Sequence, residues 1–139
     1  AGIDRAFLTE LRAGLGDAGP GRLHERLRLT ILELQATVSA IEACRKPVIA
    51  ELHGACIGGG IDIACACDLR YASADVRFSV KEIDLAIVAD LGTLQRLPRL
   101  VGDGVARELI YTARDFDADE ALRIGFISGI EPDTAALAA

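Results

Sequence analysis

Three consecutive glycines, Gly58-Gly59-Gly60, interrupt an otherwise apolar stretch and constrain this chain more than any other feature. Before them, Val48 to Leu52 reads as a short buried strand ending in His53-Gly54. After them, Ile61 to Cys67 is apolar enough for a buried helix. Glycine between a strand and a helix marks a tight turn. Two readings of that turn stand side by side. It is a plain connection, or it is a place where a ligand approaches bare backbone. In the second case, N–H groups opening the next helix face a developing negative charge. The phosphate-binding patterns do not fit. No Lys follows as GxxxxGK[ST] requires, and GxGxxG with an acidic residue about 20 positions on fails in its spacing.

Around that centre the periodicities alternate. Leu23, Leu27, Ile31, Leu34, Val38 and Ile41 recur at helical spacing, and Pro47 ends that helix by forcing the preceding residue toward extended geometry. Leu69 to Ala72 and Val76 to Val80 predict two further strands. Thr93 to Leu97 predicts a helix that Pro98 divides from the next segment. Asp103 caps a helix to Tyr111. Asp117 and Glu120 form a capping box for a last helix through Arg123, ended by Gly125. Residues 1–19, with Gly14, Gly16 and Gly19 ahead of Pro20, read as a loop or helix end. Helices alternating with short apolar strands predict an α/β protein.

At 139 residues and 51% hydrophobic, the chain is one domain with a buried core. Lys plus Arg is 15 against 21 Asp plus Glu, a formal charge of -6, which argues against a nucleic-acid partner. No run approaches the ~18 consecutive apolar residues of a membrane span. Cys44, Cys56, Cys65 and Cys67 lack the CxxC pairs and nearby histidines of a zinc site, so no metal is expected. Cys56, Cys65 and Cys67 read as reduced core thiols, and the chain as a soluble intracellular one. It contains no Met, so the expectation is that either the true start has been removed or an N-terminal part is missing.

Three acids stand in apolar surroundings. Asp62 is the only charged residue between Glu51 and Asp68. Burying it bare is costly, so it is paired, protonated or facing a cavity. Alternatively, it sits in a first helical turn and complements the dipole. Asp90, the sole charge between Asp84 and Arg96, has a strong second reading as an N-cap. Glu82, flanked by Lys81 and Asp84, also reads as a residue of a wet loop. Carboxylates whose surroundings separate their pKa values serve as paired acid and base. His53 has no nucleophile beside it and reads as a structural histidine. His24 falls on or near the solvent face of the first helix.

The run from Lys46 to Tyr71, KPVIAELHGACIGGGIDIACACDLRY, closely resembles the signature of the enoyl-CoA hydratase/isomerase (crotonase) superfamily. Gly92 to Gly102, GTLQRLPRLVG, and Ala118 to Ser128, ADEALRIGFIS, look like its downstream segments, and Ala1-Gly2-Ile3-Asp4 is similar to its AGxD turn. The resemblance implies a crotonase-like spiral of ββα units that is incomplete at both ends. The N-terminal strands and the C-terminal trimerisation helices would lie outside residues 1–139, making the chain part of a longer protein and of one catalytic domain. It implies an acyl-CoA thioester as substrate and no separate cofactor, coenzyme A being part of the substrate. The backbone N–H groups of Ile3 and Gly59 would form an oxyanion hole, with Ala1, Gly2, Asp4, Gly58 and Gly60 beside the substrate. The hydratases carry two glutamates, at the positions of Asp62 and Glu82, and usually a glycine at the position of Asp90.

Asp62, Glu82 and Asp90 together look instead like the Δ3,5-Δ2,4-dienoyl-CoA isomerase branch of fatty-acid β-oxidation. There Glu82 would take a proton from C2, Asp90 would supply one at C6, and Asp62 would support the pair. A water-poor pocket around Leu85 to Ala89 and Leu91 would disfavour hydration. The alternatives are an enoyl-CoA hydratase and a non-catalytic acyl-CoA-binding subunit. The family further implies a homotrimer or dimer of trimers, in a bacterial cytoplasm or otherwise an organelle matrix.

Overall fold

A computed structural model describes residues 19–138. It opens with helix α1 (Pro20–Glu42), where Gly19 is the N-cap and Pro20 occupies the first helical position that proline tolerates. The expected apolar stripe is buried only at its C-terminal half. Val38, with Leu34 and Ile41, packs on Ala66 and Leu91, whereas Leu27, Leu29 and Leu32 are exposed.

Two three-stranded sheets come next, and the chain alternates between them. The first holds β1 (Ile49–Leu52), β3 (Leu69–Ser73) and β6 (Gly129–Glu131), all parallel, in the order β1-β3-β6. The second holds β2 (Ala55–Ile57), β4 (Arg77–Ser79) and β5 (Phe116–Asp117), in the order β2-β4-β5, with only the β4–β5 pair antiparallel. Between strands lie α2 (Gly59–Ala66), a 3-10 turn (Glu82–Leu85), α3 (Thr93–Val101), α4 (Asp103–Thr112) and α5 (Ala118–Arg123), and α6 (Thr134–Leu137) closes the described chain. β1–β2 and β3–β4 each lay one strand in each sheet before a helix turns the chain back, whereas α5 separates β5 from β6. The order follows the expected α/β spiral of ββα units.

The core forms where the second sheet meets α2, α3 and α4. Phe78 and Phe116 are cross-strand partners with ring centroids 5.1 Å apart. Phe126 meets both edge-on, at 5.3 and 5.9 Å. Such aromatic pairs add about 0.5–1.5 kcal/mol each beyond the area they bury. Ile61, Ala64, Leu97 and Leu109 close around them. Arg70 is buried, and among the described residues it has no carboxylate partner. It donates instead to the carbonyls of Ala64, Cys67 and Phe126, satisfying the open C-terminal end of α2.

Several sequence expectations are corrected. β2 went unread because three residues before a glycine triplet show no period. β1 is a half-exposed edge strand rather than a buried one, with Ile49 54% exposed. Pro98 lies inside α3 and does not divide it. Only its own missing N–H is lost, while the burial of Leu97 and Val101 on either side holds the helix together. Gly102, not Asp103, is the N-cap of α4. Asp117 does cap α5, accepting from the Glu120 N–H at 2.9 Å. The Glu120 carboxylate does not return to close the box, because Arg114 holds it at 2.8 Å. Among the described residues no helix is long and apolar enough to cross a membrane.

Candidate active site

Glu82 opens the 3-10 turn just beyond β4, and the chain on its N-terminal side is pinned. Ser79 Oγ and Lys81 Nζ both donate to the Ala113 carbonyl, at 2.8 and 2.7 Å, fastening the approach to Glu82 onto the end of α4. Ala113 terminates α4 in the left-handed region, at φ 49°, which leaves its carbonyl free of the helix to accept both. The Glu82 side chain is buried, and among the described residues its Oε2 has no hydrogen-bond partner. Burial raises its pKa, its own N–H opposes the rise, and the nearby Asp62 and Asp90 add to it.

Glu82 lies over the glycine turn. Gly58 ends β2 by donating to the Ser79 carbonyl at 2.9 Å, then turns at φ +56° into α2. Its carbonyl accepts from Ile61 at 2.7 Å. Gly59 and Gly60 open α2, so their N–H groups have no acceptor within the helix, and among the described residues none is bonded to them. Among the described residues the triplet thus sets free backbone donors at a helix N-terminus, beside a buried carboxyl. Ala1, Gly2, Ile3 and Asp4 lie outside the described residues.

Asp62 follows neither sequence reading simply. It sits in the first turn of α2 and is 1% exposed, yet it serves another helix. Its Oδ1 accepts from the Thr93 N–H at 2.8 Å and the Thr93 hydroxyl at 2.7 Å. Burial raises its pKa; the two Thr93 bonds pull it back, Asp90 raises it and Arg96 lowers it. Asp90 is not an N-cap, since Gly92 occupies that position with φ +134°. Asp90 is half-buried, its carbonyl takes a bond from Gln35 Nε2 at 2.7 Å, and it borders a polar concavity of about 240 Å³ with Arg96 and Arg99. Asp90 raises the pKa of both Asp62 and Glu82, so the fold does bring the three acids within electrostatic reach of one another.

A cleft of about 540 Å³ has Glu82 in its wall, together with Val80, Val88, Leu94, Ile110 and Tyr111. The expected water-poor pocket is present in part. Ile87, Val88 and Ala89 line it, whereas Leu91 packs against Val38 and Ala66. Leu94, Ile110 and Tyr111 were missed, because α3 and α4 deliver them from positions with no local sequence signal. His53 is exposed at the β1–β2 corner and makes no side-chain hydrogen bond among the described residues, so it is not a packed structural histidine. Cys56, Cys65 and Cys67 are buried as expected, and burial pushes Cys56 and Cys65 up to about 12.

Chemically, such a site can take a proton onto a desolvated carboxylate beside an apolar chain while free N–H groups hold an oxyanion. Comparison with known proteins identifies the family. The model of the enoyl-CoA hydratase/isomerase family matches residues 17–138. The peroxisomal Delta(3,5)-Delta(2,4)-dienoyl-CoA isomerase of Arabidopsis thaliana is 60% identical over 131 residues, covering 94% of this chain and 47% of that protein. The mitochondrial enzyme of that name from Homo sapiens is 50% identical over 135 residues, covering 96% and 41%. The chain thus spans less than half the length of these relatives. A solved enoyl-CoA hydratase/isomerase from Cupriavidus metallidurans CH34 superposes with a TM-score of 0.80 at 34% identity, covering 93% of this chain and 47% of that one.

Proposed function

We propose that this chain, which belongs to the enoyl-CoA hydratase/isomerase family, carries the carboxyl side of a site that converts a 3,5-dienoyl-CoA to the conjugated 2,4-dienoyl-CoA. The observation that carries the reading is Glu82. It is a buried carboxyl in the wall of an apolar cleft, and among the described residues one of its oxygens has no partner and the N–H groups that follow the turn against it are free.

The thioester oxygen is placed at the Gly59 N–H, with the Ile3 N–H as the second donor that the family resemblance implies. Those donors stabilise negative charge on that oxygen as it forms, and one such donor accounts for roughly 100–1,000-fold in rate. Glu82 then takes a proton from C2. The electron pair spreads through the conjugated chain, and Asp90 delivers a proton at C6. The double bonds move from positions 3 and 5 to 2 and 4, no water is added, and before the next turnover Glu82 gives up its proton to solvent and Asp90 takes one up. The raised pKa of Glu82 suits this role, since a carboxylate made more basic by burial is a better proton acceptor. Asp62 supports the pair from behind. The isomerase relatives favour this reading over hydration, and their compartments support an organelle matrix as its setting.

The test is an ultraviolet assay of the whole protein with a 3,5-dienoyl-CoA, following the conjugated product, with Asp90→Asn alongside. Turnover that collapses in the variant is the expected result. Water addition to a 2-enoyl-CoA in place of isomerisation would make the protein a hydratase. Binding of acyl-CoA with neither reaction would leave a non-catalytic subunit.

A further inference from the structure

Thr93 is wholly buried at the first position of α3, where a backbone N–H has no acceptor in its own helix. Gly92, at the N-cap, has no side chain to supply one. Asp62 fills the vacancy from α2, and it does more than cap. Its Oδ1 takes the Thr93 hydroxyl as well as the N–H, at 2.7 and 2.8 Å, so two donors converge on one carboxylate oxygen. The N–H bond caps the first residue of the helix; the hydroxyl serves the carboxylate.

Thr93 also follows Asp90 by three residues, across Leu91 and Gly92. The Asp62 bond anchors one end of that link, and Gln35 Nε2 anchors the other through the Asp90 carbonyl at 2.7 Å. One threonine therefore fixes Asp62 directly and Asp90 through the short link between them.

We propose that Thr93 is a positioning residue of the three-carboxyl site: its hydroxyl orients the Asp62 carboxylate and, with it, holds Asp90 in register with Glu82. The proposal rests on the isomerase reading above. Asp62 is within electrostatic reach of Glu82 on the 3-10 turn, Asp90 on the link and Arg96 on α3, so a misplaced Asp62 disturbs each of them.

Thr93→Val removes the hydroxyl and keeps the shape and the N–H; Thr93→Ser keeps the hydroxyl. Both are compared with wild type in the whole protein, reading kcat and KM separately with a 3,5-dienoyl-CoA, and Tm. Losing a hydrogen bond to a charged group predicts kcat lower by about 10–100-fold in Thr93→Val. KM should be unchanged, and Thr93→Ser should recover most of the rate. Should Thr93→Val not fold, Thr93→Ala takes its place with the same expectation. A wild-type kcat in the valine or alanine variant overturns the proposal. So does a serine variant as slow as the valine one while both melt with wild type. If wild type itself does not isomerise the substrate, the functional reading fails and this one falls with it. A wild type that turns over beside an unimpaired Thr93→Val sinks only the role of Thr93.

Discussion

The Glu82 carboxylate rests against the bare Cα of Gly58: a Cβ built on Gly58 would lie 3.2 Å from Glu82 Oε1. The same glycine turns at φ +56°, a conformation that L side chains rarely adopt. One residue thus leaves room for the buried acid and bends the chain into α2, bringing the candidate base and the free N–H groups of Gly59 and Gly60 together.

Gly58→Ala should therefore fail twice. The backbone strain should cost about 1–3 kcal/mol of stability, and the new methyl should displace Glu82 and lower kcat. Denaturant unfolding and steady-state kinetics on the whole protein check this together; unchanged values in both would remove the coupling between turn and acid.

Glu82→Gln should abolish isomerisation and raise stability at neutral pH. The folded-state pKa of Glu82 is raised by burial, so the native state holds this proton more tightly than the unfolded chain does. Its contribution to stability is then fully present below the unfolded value and is lost as pH rises through the folded one. The variant should be the more stable of the two at pH 7, with the gain vanishing below about pH 4. Melting curves across that range decide it.

Asp62→Asn and Asp62→Ala should separate. Asparagine keeps an oxygen for both Thr93 donors, whereas alanine strands a buried N–H and hydroxyl. The alanine variant should lose about 1–3 kcal/mol more than the asparagine one, read from urea midpoints. Equal losses would mean that the Thr93 contact contributes nothing.

Gly92→Ala should loosen the joint between α1 and α3. A Cβ there would overlap an Arg96 guanidinium nitrogen, at a φ of +134°. Arg96 would have to leave Glu42, which it holds at 2.9 and 2.7 Å, and Ser39. A loss of about 1–3 kcal/mol is expected, and part of it should disappear in an Arg96→Ala background, because the clash is with that side chain. Additive losses would contradict the shared cause.

Much of this was legible along the chain. The α1 stripe, the glycine turn, the apolar α2 and the Asp117 cap are local patterns. Each depends on periodicity or turn chemistry within a few residues, and each is found within a few residues of its expected place. The expectations that failed were local rules overridden at a distance. Pro98 stays inside α3 because its neighbours are buried; Glu120 leaves the capping box because Arg114 holds it; β1 is half-exposed because nothing among the described residues covers its outer edge. Asp90 looked like a cap because aspartate before a helix usually is one. Here a glycine takes that position, and Asp62 from another helix supplies the acceptor.

The sequence by itself determined the α/β class, the sharp turn at Gly58-Gly59-Gly60 and the three acids worth watching, since isolated charge in apolar sequence is a strong signal. Only the tertiary structure decided where each acid sits and what it touches. It put Glu82 in the wall of a cleft built by α3 and α4, spent Asp62 on Thr93, and set Asp90 beside Arg96. Pairings such as Asp62 with Thr93, 31 residues apart, leave no periodic trace in the chain. They exist because burying a carboxylate demands donors, and the fold alone determines which donors are near.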